Sequence, residues 1–173
     1  MARQARSLDT LLAEVNRSAP KRSKVSDGGV GDPRHQQTKS DHNPNSAGVW
    51  RARDFTNDPG DLSAQALAHH VAGMLGKHPA LGSGAYVIWN RRIISTDRLA
   101  EGWRPYSGVN AHTKHAHVSV ATAAKGYDSQ ASWSWPPKVI RNPNLTDAEA
   151  ALRKAASAKS NGAKARKRAL IDQ

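Results

Sequence analysis

The chain contains no cysteine. That excludes a disulfide framework and any thiolate metal site, so a bound metal must be held by histidine and carboxylate. Phenylalanine occurs once and methionine twice in 173 residues. No apolar run approaches the roughly 18 residues that a membrane-spanning helix needs. The opening Met1-Ala2-Arg3-Gln4-Ala5-Arg6 is basic, but no apolar stretch follows, so no secretory signal is expected. Acidic residues are scarce: 14 Asp and Glu face 26 Lys and Arg, a formal charge of +12. Such a surface favours anionic partners without choosing among wall polymers, membrane surfaces and nucleic acid. With 38% hydrophobic residues, the chain has enough for one modest core with large loops and appendages.

What is present is more specific. His115-Ala116-His117-Val118-Ser119-Val120 places two histidines at the head of a β-branched run. In a strand, residues two apart share a face, so both imidazoles project together. Such a pair can supply two metal ligands, or one ligand beside a catalytic base. Further upstream, Ser40-Asp41-His42-Asn43-Pro44-Asn45-Ser46 reads as a loop that leads into a strand over Val49 to Thr56. Strand alternation sets Trp50, Ala52, Asp54 and Thr56 on one face and Val49, Arg51, Arg53 and Phe55 on the other. Asp54 thus has small and apolar neighbours, where an unpaired carboxylate is costly and a metal ion would remove the cost. His42, Asp54 and His117 would form a three-ligand set with a position left for water, the pattern of catalytic zinc. The plainer alternative pairs Asp54 with an arginine and leaves His42 solvated.

The pattern Ser-x-His with a following Gly-x-x-x-Ala-x-Asp (Ser40, His42, Gly48, Ala52, Asp54) and a later His-x-His strand resembles the M15-type zinc D,D-peptidases and murein endopeptidases. It is most similar to endolysins of actinobacteriophages, through Ser40–Pro44, Tyr86–Ser95 and Asn110–Val120, and extends over about residues 8 to 122. The resemblance implies an α+β fold of the Hedgehog/DD-peptidase kind, with a small central antiparallel sheet flanked by helices. It implies a Zn2+ cofactor held by His42, Asp54 and His117, and hydrolysis of an amide bond in bacterial peptidoglycan. His115 matches the extra histidine that assists catalysis. Compact members set the aspartate closer to the first histidine than here, where loop residues around Pro44 to Gly48 intervene; such loop length costs little. Many members also carry an acidic base three positions before the last ligand. That position is Lys114, which while charged accepts no proton. His115, then His112, are the replacement bases, since neutral imidazole accepts a proton near pH 7. Arg22 is a candidate for the stem-peptide carboxylates, because a guanidinium fork matches a carboxylate. Arg51 and Arg53 alternate away from Asp54. Trp103 could wall the substrate groove, with loop packing as the alternative.

Secondary structure frames these residues. Ser7 is the expected N-cap of a first helix with Leu8, Leu11, Leu12 and Val15 on one face, limited by Pro20. A second helix is expected from about Leu62 to Lys77, with His69 and His70 as surface or boundary residues. Tyr86 to Ser95 reads as a β-hairpin turning at Asn90-Arg91. Trp89 belongs in or near the core. Trp133 and Trp135 should staple a Pro-rich tail to a domain spanning 1–137. His35 and His78 fall in loops. From Lys138 to Gln173, nine Lys and Arg against three Asp and Glu form a basic C-terminal extension, either partly helical from the capping box Thr146-Asp147-Ala148-Glu149 or disordered. Its charge would suit anionic wall polymers.

The reading is a monomeric zinc peptidase acting on peptidoglycan. It would accumulate in the host cytoplasm before lysis, or travel in the virion. A metal-dependent nuclease or nucleic-acid-binding protein is the rival suggested by charge. A catalytically impaired wall-binding module is the rival suggested by Lys114.

Overall fold

The computed structural model describes residues 2–31 and 38–137. The expected tail helix at Thr146 and the loop histidine His35 lie outside the described residues. The architecture is α+β, built on a five-stranded antiparallel sheet. Its strands are β3 (Ala52–Thr56), β4 (Tyr86–Trp89), β5 (Arg92–Ser95), β6 (Arg104–Pro105) and β7 (His115–Ser119), in the order β3-β7-β4-β5-β6. A separate two-stranded parallel sheet joins β1 (Arg3–Gln4) to β2 (Val49–Trp50).

Alternation divides the sheet into two faces. Phe55, Val87, Ile94, Ala116 and Val118 point into the hydrophobic core. There they meet α2 (Ala64–Gly73) through Leu67, Ala68 and Val71. The opposite face carries the polar residues of interest, because Asp54, His117 and Ile88 stand in one cross-strand row. Val87, Ile88 and Val118 are the β-branched residues of the two central strands, a type that packs well on a pleated, buried surface.

The strand expected over Val49 to Thr56 is two strands in two sheets. Arg51 breaks it: its amide donates to the Asp41 carbonyl, its guanidinium donates to the Val120 carbonyl, and it pairs with the Asp41 carboxylate. Within β3 the expected alternation holds, with Asp54 opposite His117 and Thr56 opposite His115.

The first helix, α1 (Arg6–Ser18), buries Leu8, Leu11 and Val15 as the spacing predicts. Its N-cap is Ala5, not Ser7. Ser7 sits inside the first turn, where its hydroxyl donates to the Tyr127 carbonyl at the end of α3 (Ala124–Tyr127). A tertiary acceptor therefore replaces the local capping bond. α2 is shorter than the pattern suggests and is capped by Ser63, whose hydroxyl accepts from the Ala66 amide.

The β4–β5 hairpin turns on Asn90 and Arg91, with φ of 44° and 64°. Positive φ at both central residues matches the twist of the flanking strands. The tail is stapled as expected. Trp133 is fully buried, its indole N–H donates to the Ser7 carbonyl, and its ring stacks on His78. The Glu14 carboxylate accepts from the Trp133 and Trp135 amides and the Ser132 hydroxyl. His70 bonds the Trp133 carbonyl, whereas His69 is exposed.

Candidate metal centre

The central strand β7 presents His117 between Asp54 on β3 and Ile88 on β4. His42 arrives from the preceding loop. That loop is pinned where Arg51 N–H meets the Asp41 carbonyl and Gly31 N–H meets the His42 carbonyl. Three groups converge. His42 Nε2 lies 3.2 Å from His117 Nδ1 and 3.4 Å from Asp54 Oδ2. His117 Nδ1 lies 3.0 Å from Asp54 Oδ1. Ligands of a tetrahedral zinc, each about 2.0–2.2 Å from the ion, stand roughly 3.3–3.6 Å apart. The observed separations, which end on both oxygens of Asp54, are near the size that one ion demands, and the three residues could hold a metal ion.

The outer nitrogens support the same conclusion. His42 Nδ1 contacts the Gly29 carbonyl, which can only accept, so this nitrogen carries the hydrogen. His117 Nε2 lies 3.0 Å from the Ser119 hydroxyl, which can accept its hydrogen. In neutral rings, both inner nitrogens then turn lone pairs toward a carboxylate. Three electron-rich groups stay together only around a positive charge, supplied by a proton or a metal ion. Outer partners that orient ligating histidines are a general feature of metal sites. Tyr86 adds to the support by stacking on His117 at 15° and 5.3 Å between centroids.

Electrostatics agree. Burial works to raise the Asp54 pKa, but hydrogen bonds and charge from His117 and His42 overrule it and hold the carboxyl well below its usual range. Burial lowers His42, yet the Asp54 hydrogen bond and charge carry it above its ordinary value.

His112 and His115 stand next to this triangle. His112 is held at a φ of 50° on the loop before β7. Its amide donates to Asn110 Oδ1, and its carbonyl accepts from the hairpin residue Asn90. Its ring is 5.0 Å from His115 and 5.3 Å from His117. His115 Nε2 is 3.8 Å from Asp54 Oδ2. Burial, followed by the charge of His117, pushes His112 down to about 4. Burial also lowers His115. Both shifts favour the neutral ring, most strongly at His112.

A cavity of about 530 Å³ opens over the triangle and is lined by Lys39, His42, Asp54, Tyr86, Tyr106 and His117 among others. An adjoining cavity of about 480 Å³ is lined by Asp27, Lys114 and His115 and shares Val109 and Asn110 with the first.

Two expected substrate contacts lie elsewhere. Arg22 has no exposed side-chain area, and its guanidinium fork is consumed by Asp27 at 2.6 and 2.8 Å. A basic residue in a loop resembles a ligand-binding arginine in sequence, and only tertiary pairing shows it to be structural. Trp103 lines a third cavity of about 330 Å³, with His69, Trp89 and Arg92, and does not line the cavity over Asp54.

Sequence reasoning passed over three contributors: Gly28, Ser119 and Tyr86. The Gly28 carbonyl accepts from the Asp54 amide at 2.8 Å. A Cβ at Gly28 would stand 2.7 Å from Asp54 Oδ2, so the loop closes on the carboxylate only as glycine. The pair Gly28-Gly29 was the available signal. Ser119 lies two positions beyond His117 on β7, so strand alternation was its signal. Tyr86 carries none, because only the β4–β7 register brings it to His117.

Residues 7–117 match the family model described as VldE, C-terminal domain. No curated protein and no solved structure matches the chain.

Proposed function

The chain belongs to the VldE C-terminal domain family, and we propose that it is a zinc-dependent peptidase of bacterial peptidoglycan, acting as a phage endolysin. The observation that carries this reading is the triangle of His42 Nε2, Asp54 and His117 Nδ1, with edges of 3.0 to 3.4 Å, at the base of an open groove. Two nitrogens, a carboxylate and no thiolate make a donor set suited to zinc. The substrate class rests on the sequence resemblance to M15-type enzymes.

When bound, such an ion polarises a carbonyl and acidifies water. The chain supplies the remainder. Gly29 and Ser119 orient the two imidazoles. His115, whose burial favours the neutral ring, takes the proton of the attacking water and returns it to the leaving amine as the amide C–N bond breaks. This removes the need for the acidic base that Lys114 replaces. Lys39 on the groove wall and Lys114 in the adjoining cavity, both exposed, meet the carboxylates of the stem peptide, the task expected of Arg22.

The test is clearing of purified peptidoglycan with and without a chelator. Clearing that chelation abolishes and zinc restores supports the proposal. Clearing that is indifferent to chelator overturns the metal. DNA nicking without clearing would replace the peptidase with a nuclease, and pelleting with wall but no activity would replace it with a binding module.

A further inference from the structure

Among the described residues, three buried ring nitrogens beside the triangle have no hydrogen-bond partner: His112 Nδ1 and both nitrogens of His115. His112 is only 6% exposed. A buried polar group left unpaired costs about 1–3 kcal/mol, so the cluster is built at a cost that a ligand would offset. One ligand atom from each of Asp54, His112 and His115 lies within 4.8 Å of the others. Asp54 belongs to both this set and the triangle.

We propose that Asp54, His112 and His115 hold a second, weaker divalent cation, which inhibits the enzyme by occupying the nitrogen that His115 uses as a base. The inhibitory part rests on the peptidase reading above; the site itself does not. A carboxylate has two oxygens and can serve two ions, which in two-metal sites lie about 3.5–4 Å apart. Neutral imidazole has one N–H and one lone pair. Once that lone pair is given to a metal, His115 can no longer accept a proton.

Three observations make this site the weaker one. Its edge from His115 Nε2 to Asp54 Oδ2, 3.8 Å, is wider than the 3.0–3.4 Å edges of the triangle. Its carboxylate is already shared. His112 is clasped by Asn110 and Asn90, so it has little freedom to close the gap.

The experiment is equilibrium dialysis of the full chain against increasing Zn2+ with elemental analysis, beside peptidoglycan clearing at the same free zinc. Wild type is expected to bind two zinc ions per chain, the second at least tenfold more weakly, with clearing falling as the second site fills. H112Q is expected to bind one, and its clearing, whatever its maximum, should not fall over that zinc range. H112A, checked by circular dichroism, serves if H112Q does not fold. Saturation at one ion in wild type overturns the proposal, as do two ions in both variants. Two ions with clearing that never falls at high zinc overturns the inhibition. Zero ions would instead remove the primary site, so the two failures are distinct.

Discussion

Asp54 and His117 face each other across the β3–β7 ladder, with Oδ1 and Nδ1 3.0 Å apart. Two strands from distant parts of the chain thus fix two of the three candidate ligands, and His42 completes the set from a pinned loop. Rigid strand positions place ligands more accurately than loops alone. H117A and D54A are each expected to reduce zinc affinity by more than about 100-fold, since even losing an outer partner costs about 10–100-fold. Elemental analysis after dialysis measures this, and peptidoglycan clearing should be lost in parallel. Full zinc retention by either variant would contradict the assignment.

H115A separates holding metal from using it. The tightly bound ion should remain, because His115 is not part of the triangle. Turnover should fall about 10²–10⁴-fold, the usual contribution of a positioned acid–base group. If kcat on a soluble muropeptide is unchanged, His115 is not the base.

Gly28 should behave as a positioning residue. G28A places a Cβ against Asp54 Oδ2 and must displace the carboxylate or the loop. The expected result is about a 10–100-fold weaker zinc affinity, comparable to loss of an outer partner. Restoration of clearing at raised zinc distinguishes this from global unfolding.

Asp27 gives the fold an acid-sensitive joint. Burial raises its pKa, but hydrogen bonds from Arg22 and Thr56 outweigh it, and the carboxyl sits below its ordinary value. The folded state therefore holds its proton less tightly than the unfolded chain. The stabilisation is complete above the unfolded value of about 3.9 and is lost as pH falls through the folded one. D27N should cost about 3–5 kcal/mol at pH 7 by stranding the buried Arg22. Urea unfolding of wild type and D27N should converge as the medium is acidified below about pH 4.

Trp133 tests the tail. W133A should destabilise by about 3–5 kcal/mol, the usual cost of removing a large buried ring. The loss should appear in the denaturation midpoint, because the ring fills space against α1 and His78. An unchanged midpoint would mean that residues 129–137 are not part of the folded unit.

Much of this was legible locally. The period-2 rule alone put His115 and His117 on one face, and Asp54 on the opposite side of its strand from Arg53 and Phe55. Tyr86 to Ser95 announced a hairpin, and Leu8, Leu11 and Val15 announced a helix. These signals are short-range, so neighbouring residues carry them. The failures were long-range. Arg22 looked available until Asp27 claimed it, and Ser7 looked like a cap until Tyr127 offered an acceptor. Trp103 sat near the right strand in sequence but on a different cavity in space. His112 turns inward because the Asn90 amide and Asn110 side chain clasp a residue at positive φ, which no local pattern predicts.

The sequence by itself determined the chemistry on offer: imidazole and carboxylate donors without thiols, a basic surface, and a strand that aims two histidines one way. Tertiary structure decided which of those groups meet. Side-chain alternation and helical spacing depend on residues a few positions apart. Ligand distances of 3.0 to 3.4 Å depend on register between strands some sixty residues apart and on a glycine loop closing over Asp54. Those are set by packing and pairing of the whole chain, which no short window of residues contains.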